Sequence, residues 1–407
     1  MTGISKRAGE LLEAEMLDEY LIEQQTRRHD AYHPSDNPDG YISLCVAENK
    51  LVWDLLEDKL ASSRDIDHHV IGYDEMFGSS RFRQRVARFL SRTFIGHAVD
   101  PDHLVMAAGA GTILETVFYA IADAGEGVLV PTPSYAGFWL DLEARDGLNI
   151  VPMHTESSAG FELTTGHLDT ALEGADRPIR ALLFTTPNNP LGTVYSADEV
   201  RLVLDWCEAN QIHAVIDEIY ALSVFGDRDF VSASTFPMGD FVHIVWAFSK
   251  DFAVSGLRCG VLYTQNEQIR AFAQTVAYWQ AVSGDTQHVL GELIADTAWV
   301  DGFIAENQRR LGAAYHATTE ALDEIEVAYI PSSAGFFLVA DFRTFLEEPT
   351  WEAESHLWRR FLEEANVNLT PGSSLRCGEP GFFRICFASQ PSPVAIEGIK
   401  RVGALLG

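Results

Sequence analysis

Between about residues 50 and 290, short apolar runs alternate with helix-compatible stretches, and this alternation constrains the fold more than any other feature. Gly127-Val128-Leu129-Val130-Pro131, Ala181-Leu182-Leu183-Phe184-Thr185, His213-Ala214-Val215-Ile216-Asp217 and His243-Ile244-Val245-Trp246 are short and rich in Val, Ile and Leu. Such runs, separated by helical patterns, predict a mostly parallel sheet covered on both faces. After residue 290 the pattern changes to a long helix over about 290–325. Shorter elements follow, with strands predicted at Gly335-Phe336-Phe337-Leu338-Val339 and from Phe382 to Phe387. Near the N-terminus, Leu11, Leu12, Met16, Tyr20 and Leu21 recur at helical spacing and predict a helix over 8–30. The expected organisation is an arm over 1–49 that joins part of a small domain, a large domain over 50–290, and a small C-terminal α+β domain over 291–407. A chain of 407 residues suits two intimately joined domains.

Charge narrows the partners. The 29 basic and 59 acidic residues give a formal charge of −30, a field that repels nucleic acid and anionic membrane surfaces. No apolar run reaches membrane-spanning length, and the segment Met1 to Arg7 is not an apolar signal. Cys45, Cys207, Cys259, Cys377 and Cys386 are scattered, with no CxxC spacing, which points away from disulfides and from a metal site. A cytoplasmic protein without a metal is expected.

One lysine stands apart. Between Lys59 and Lys400 only Lys250 occurs, in Trp246-Ala247-Phe248-Ser249-Lys250-Asp251, although the chain has 24 arginines. Arginine replaces lysine where charge alone matters. It cannot replace an amine that must lose a proton and condense with a carbonyl. Lys250, in an apolar, strand-like setting, is therefore a candidate Schiff-base residue.

Ligands in open α/β sheets bind beyond the carboxyl ends of the strands, and four such ends carry polar residues. Ala107-Ala108-Gly109-Ala110-Gly111-Thr112 lets backbone N–H groups approach an anion, and reads equally as a plain tight turn. Thr186-Pro187-Asn188-Asn189-Pro190 is a second, and also reads as a turn. Asp217 closes an apolar strand, where its carboxylate calls for a cation or caps the next helix. Ser249-Lys250 is the fourth, followed by Arg258. Together they supply an imine-forming amine, an acid for a pyridinium nitrogen, an amide and a phenol for a ring hydroxyl, and donors for a phosphate. Pyridoxal phosphate needs this set. No GxGxxG opens a βαβ unit, which disfavours a nicotinamide enzyme.

With these motifs the chain resembles the fold-type I pyridoxal-phosphate enzymes of the aspartate aminotransferase superfamily, and within it the 1-aminocyclopropane-1-carboxylate (ACC) synthases. Asn37-Pro38-Asp39-Gly40, Ala47-Glu48-Asn49, Val130-Pro131-Thr132-Pro133, Asn189-Pro190-Leu191-Gly192-Thr193, Asp217-Glu218-Ile219-Tyr220, Ser249-Lys250-Asp251, Pro371-Gly372-Ser373-Ser374 and the stretch Glu379 to Ala388 carry the likeness. The resemblance implies an α/β fold of type I, with a mostly parallel seven-stranded sheet and a smaller α+β domain. It also implies a homodimer with shared active sites. It makes Lys250, Tyr220 and Asp217 catalytic. It assigns Ala110, Gly111, Ser249 and Arg258 to the phosphate, Tyr135 to the ring face, and Asn189 and Tyr220 to the ring hydroxyl. Arg384 is implied to clamp the substrate α-carboxylate. Glu48 lies where ACC synthases have a glutamate near the substrate, and reads equally as a helix N-terminal carboxylate.

The sequence departs from that family at the substrate wall. Met76-Phe77-Gly78 stands where ACC synthases have Tyr-His-Gly, whose tyrosine reaches the neighbouring subunit; Tyr73 is nearby but out of register. Lys50, Ala247, Leu140 and Glu143 are further departures. Tyr73 and Met76 are accordingly candidate substrate-binding residues. The resemblance implies chemistry on S-adenosylmethionine (SAM): Cα deprotonation and loss of methylthioadenosine from Cγ. Ring closure or capture of a second small molecule would follow. Transamination is the rival outcome, and a non-catalytic binding protein is the third.

Overall fold

A computed structural model describes residues 3–14 and 17–407. The arm holds two helices, Lys6–Glu13 and Glu19–Arg27, not one over 8–30. Met16 lies outside the described residues. The first helix buries nothing, whereas the second buries Tyr20. Beyond them, β1 (Ile42–Ser43) pairs in parallel with β11 (Val367–Asn368). Asn368 reinforces that tie by donating through Nδ2 to the Tyr20 carbonyl and the Tyr41 hydroxyl, each at 2.9 Å.

The large sheet contains β2 (Leu104–Ala107), β3 (Gly127–Thr132), β4 (Asn149–His154), β5 (Ile179–Thr185), β6 (His213–Asp217), β7 (Val242–Ala247) and β8 (Gly260–Thr264). Their order is β2-β8-β7-β6-β5-β3-β4. All pairs are parallel except those of β8, which runs against β7 and β2. The mostly parallel, seven-stranded expectation holds. Neighbouring residues within a strand enter different cores. Ile244 and Trp246 join one apolar cluster and Val245 the opposite one; Ala214 and Ile216 flank Val215 in the same way. Both faces are therefore buried, which is why the runs show no polar alternation.

The predicted helix over 290–325 is two helices, Gly284–Ala295 and Thr297–Glu324. Asp296 separates them with ψ 86°, and its carboxylate accepts from Trp299 N–H at 3.1 Å, capping the second. Apolar spacing continues across the break and conceals it. Lys250, expected in a strand-like setting, lies instead on a short helical turn, Phe248–Asp251, directly after β7. No helix among the described residues is long and apolar enough to cross a membrane.

A second sheet contains β9 (Ala328–Ile330), β10 (Phe337–Asp341), β12 (Thr370–Pro371) and β13 (Phe382–Cys386), antiparallel in the order β12-β13-β10-β9. Its core is aromatic. The Phe361 ring lies 5.2 Å from Phe342 and 5.5 Å from Phe383, fully buried. Phe361→Ala should cost about 3–5 kcal/mol and lower the melting temperature clearly, since it opens a cavity behind β13. Leu12→Ala, at 78% exposure, should change stability by less than about 0.5 kcal/mol. Equal melting curves for the two variants would contradict this packing.

Candidate active site

Three adjacent parallel strands deliver the polar groups to one place. β5 leads to Asn189, β6 ends on Asp217, and β7 runs into Lys250; Thr185 pairs with Asp217, and Asp217 with Val245. Lys250 Nζ donates to the Ala47 carbonyl at 2.5 Å. Burial pushes its pKa down to about 8, against the opposing pull of Cys386, Glu48 and Asp217. Asp217 is 5% exposed and accepts one hydrogen bond, from Ile219 N–H at 3.2 Å. Burial pushes it up to about 7. It has no ion-pair partner among the described residues, so a cation at this point would be stabilising.

Arg384 on β13 faces the same place and is 2% exposed. Nη1 donates to Asn189 Oδ1 at 3.1 Å, and Nη2 to the Cys45 carbonyl at 2.7 Å and to Thr370 Oγ1 at 3.2 Å. Its Nε is buried without a partner, an uncommon condition for a guanidinium. Asn189 Nδ2 donates to the Tyr220 hydroxyl at 3.4 Å. The Tyr220 ring meets Phe336 and Phe337 edge-on, each at 5.3 Å, and burial holds its phenol protonated.

Beyond β2, Gly109 has φ +105° and precedes the helix Ala110–Ile121, whose first N–H groups lack intrahelical partners. A Cβ on Gly109 would stand 2.3 Å from Arg258 Nη2, so the guanidinium lies directly against this turn. Gly260 is equally constrained: its Cβ would meet the Gly109 carbonyl at 2.6 Å. Arg258 donates to the carbonyls of Ser255 at 3.1 Å and Ala108 at 3.4 Å. Ser249, on the Lys250 turn, is buried. This turn, Arg258, the unpaired Asp217 and the orphaned Arg384 Nε fit pyridoxal phosphate with an amino-acid carboxylate beside it.

A cleft of about 1290 Å³ is lined by Lys250, Arg384, Tyr135, Glu48 and Ser255. Tyr135 is 37% exposed on its wall. Glu48 accepts from Ser255 Oγ at 3.2 Å and lies 3.9 Å from Lys50 Nζ. It does not open a helix, for the next one begins at Trp53; of its two readings, the cleft position remains. Tyr73 and Met76 are placed elsewhere. They line a second cleft of about 670 Å³ with Ser79 and Gln287, not the Lys250 cleft of the same chain.

Several groups escaped the sequence reading. Tyr20 lines the Lys250 cleft from the arm, and Trp139 and Arg376 line it from elsewhere in the chain. The Asp141 carboxylate would stand 3.0 Å from a Cβ on Gly111, and burial raises its pKa to about 6. Asp251 accepts from Trp246 Nε1 at 2.9 Å, Ser223 Oγ at 2.7 Å and Leu222 N–H at 3.1 Å, fastening the Lys250 turn to the Tyr220 loop. Asp251 alone had a signal: a carboxylate beside a lysine in apolar surroundings.

The family model for class I and II aminotransferases matches residues 40–401. 1-Aminocyclopropane-1-carboxylate synthase 6 of Arabidopsis thaliana is 35% identical over 391 residues, spanning 91% of this chain and 79% of that protein. 1-Aminocyclopropane-1-carboxylate synthase 2 of Solanum lycopersicum is also 35% identical, over 399 residues, spanning 93% and 82%. Among solved structures, aspartate aminotransferase from Thermus thermophilus with maleate superposes with a TM-score of 0.83 at 20% identity, covering 100% of both chains. The aromatic aminotransferase from Pyrococcus horikoshii gives 0.80 at 21% identity, covering 90% of this chain and 95% of that one.

The depressed Lys250 pKa makes a measurable prediction. A neutral amine is the nucleophile, so the rate at which the cofactor-free protein condenses with an aldehyde probe should rise with pH and level off above about pH 8. A rate still climbing toward the ~10.5 of an ordinary lysine would contradict the buried setting.

Proposed function

This chain belongs to the aminotransferase class I and II family and uses pyridoxal phosphate, and on that premise we propose that it acts on S-adenosylmethionine. In this reading it removes the Cα proton and expels methylthioadenosine from Cγ. The electron pair left at Cα displaces the sulfur at Cγ and so closes a cyclopropane, or a second small molecule displaces it there instead. The observation that carries the reading is the meeting of Arg384 and Glu48 in the cleft over Lys250, in a chain 35% identical to ACC synthases. Arg384 suits the α-carboxylate, and the Glu48 carboxylate suits a sulfonium.

Bound pyridoxal phosphate supplies an electron sink for the pair released at Cα. Asp217 would face the ring nitrogen, because its unpaired carboxylate is stabilised by a cation there. Asn189 and Tyr220 would hold the ring hydroxyl, and Tyr135 the ring face. Ala110, Gly111, Ser249 and Arg258 would hold the phosphate. Arg384 would grip the α-carboxylate by two points, fixing the Cα–H bond toward Lys250. Lys250, with a pKa near 8, has a neutral fraction at pH 7 that can accept the Cα proton. When the Cγ–S bond breaks, its pair goes to sulfur, and the leaving group departs as a neutral thioether.

We also propose that the active unit is a homodimer. Ile71 and Tyr73, which line the second cleft, are 81% and 99% exposed, and Tyr278 and Trp279, shortly before its Ala281, are 69% and 77% exposed. In the dimer, Tyr73 and Met76 would reach the other chain's cleft.

Transamination remains a second reading, because the residue types that reaction needs are all present in this chain: Lys250, Asp217, Asn189, Tyr220, Arg258 and Arg384. The two separate cleanly. Purified holoenzyme given SAM should release methylthioadenosine, and with amino acids should not accumulate the pyridoxamine spectrum. Pyridoxamine formation without methylthioadenosine would establish the second reading instead. Arg384→Lys should lower kcat/KM at least about 30-fold, the equivalent of losing roughly 2 kcal/mol of charged hydrogen bonding. An unchanged KM and kcat would remove Arg384 from the carboxylate role.

A further inference from the structure

We propose that Trp139 and Arg376 form a stacking subsite for a planar heteroaromatic group at the distal end of the substrate. The identity of that group as the adenine of SAM rests on the reading above; the subsite itself rests on geometry. Trp139 lies on the helix Gly137–Glu143, four residues beyond Tyr135. Arg376 comes from the loop between β12 and β13. The guanidinium carbon sits 5.1 Å from the Trp139 ring centroid, and both side chains line the cleft that holds Lys250 and Arg384.

The backbone under Arg376 is fixed, and the polar edge of the pair is unused. Arg376 has φ +55°, uncommon for a residue with a Cβ. A tight turn fixes it there: Arg376 N–H donates to the Ser373 carbonyl at 3.1 Å, and Cys377 N–H to Gly372 at 3.0 Å. Ser134 N–H donates to the Leu375 carbonyl at 2.9 Å, tying this turn to the segment that carries Tyr135. Yet neither the Arg376 guanidinium nor the Trp139 indole N–H makes a side-chain hydrogen bond or ion pair among the described residues. Two charged neighbours on the same wall are already engaged: Arg145 pairs with Glu115 at 2.9 Å, and Glu143 accepts from Ile150 N–H at 3.2 Å. Arg7, on the first arm helix, also lines the cleft without a side-chain partner, but Arg376 is the free guanidinium there that lies over an aromatic ring.

Its chemistry favours a planar ring over an anion. A guanidinium stacked on an indole presents a flat π surface, and its edge donates to ring nitrogens or sugar hydroxyls. The negative indole face beneath and the Glu48 carboxylate in the same cleft oppose a second carboxylate. A substrate gripped by Arg384 at one end would therefore lay its aromatic end on Trp139 and Arg376.

The test uses holoenzyme and three probes in binding calorimetry. These are SAM, S-methylmethionine, which keeps the sulfonium and amino acid but lacks the nucleoside, and methylthioadenosine, which has only the nucleoside end. Trp139→Ala and Arg376→Ala should each weaken SAM and methylthioadenosine about 10- to 100-fold, as for loss of one base stack. S-methylmethionine should be unaffected, and Trp139→Phe should recover most of the loss. The inference is overturned if the wild-type protein does not bind methylthioadenosine, or if the variants bind it as the wild type does. It is equally overturned if Arg376→Ala instead weakens aspartate selectively, which would make the guanidinium a carboxylate site. Binding of methylthioadenosine without any reaction of SAM would sink the reading above and leave the subsite standing.

Discussion

Burial of one amine and one carboxyl at the ends of adjacent strands is the constraint on which the rest of this molecule depends. The same low-dielectric surroundings lower Lys250 to about 8 and raise Asp217 to about 7. Neither has an ion-pair partner among the described residues, so each is left short of the interaction that would restore its usual charge. The cost of holding them is borne by a sheet buried on both faces. That sheet fixes Asp217 opposite Val245, and so fixes its distance from the turn that follows β7. A flexible loop would let the two groups find water or each other. The strand ends prevent it, and a cationic ring nitrogen and a carbonyl are what the pair lacks.

Burial also imposes a pH signature on the fold itself. Lys250 has a folded pKa below its unfolded one, so its destabilising effect is present below about pH 8 and fades as pH rises toward the unfolded value. Asp217 has a folded pKa above its unfolded one, so its effect is present above about pH 7 and fades as pH falls toward the unfolded value. Without a cofactor the site therefore opposes the fold on both sides of neutrality. A bound cation at Asp217 and a condensed Lys250 remove both penalties together.

Much of this was legible in the chain. The β-runs named their own burial, because Ile244, Val245 and Trp246 have no polar alternation, and the structure divides them between two cores. Lys250 was legible because it is the sole lysine in a long arginine-bearing stretch. Asp217 was legible because it ends an apolar strand. What failed did so for physical reasons. Asp296 interrupts a helix without disturbing its apolar period, because a capping side chain lets one helix end where the next begins. Tyr73 and Met76 are a different case: they line the second cleft of this chain, and their assignment to the substrate rests on the proposed dimer. Trp139 and Arg376 are brought together only by the docking of the β12–β13 loop on the segment around Tyr135, a contact that no local pattern records.

The most direct measurement of the account is to reduce the holoenzyme with borohydride, digest it, and locate the cofactor by mass spectrometry. The chain has five lysines, and the other four lie outside the stretch between Lys59 and Lys400. The account predicts stoichiometric labelling of Lys250 alone, lost in Lys250→Arg, which keeps the charge but cannot form the imine. Labelling of Lys50 or Lys59, or retention of label in Lys250→Arg, would contradict it.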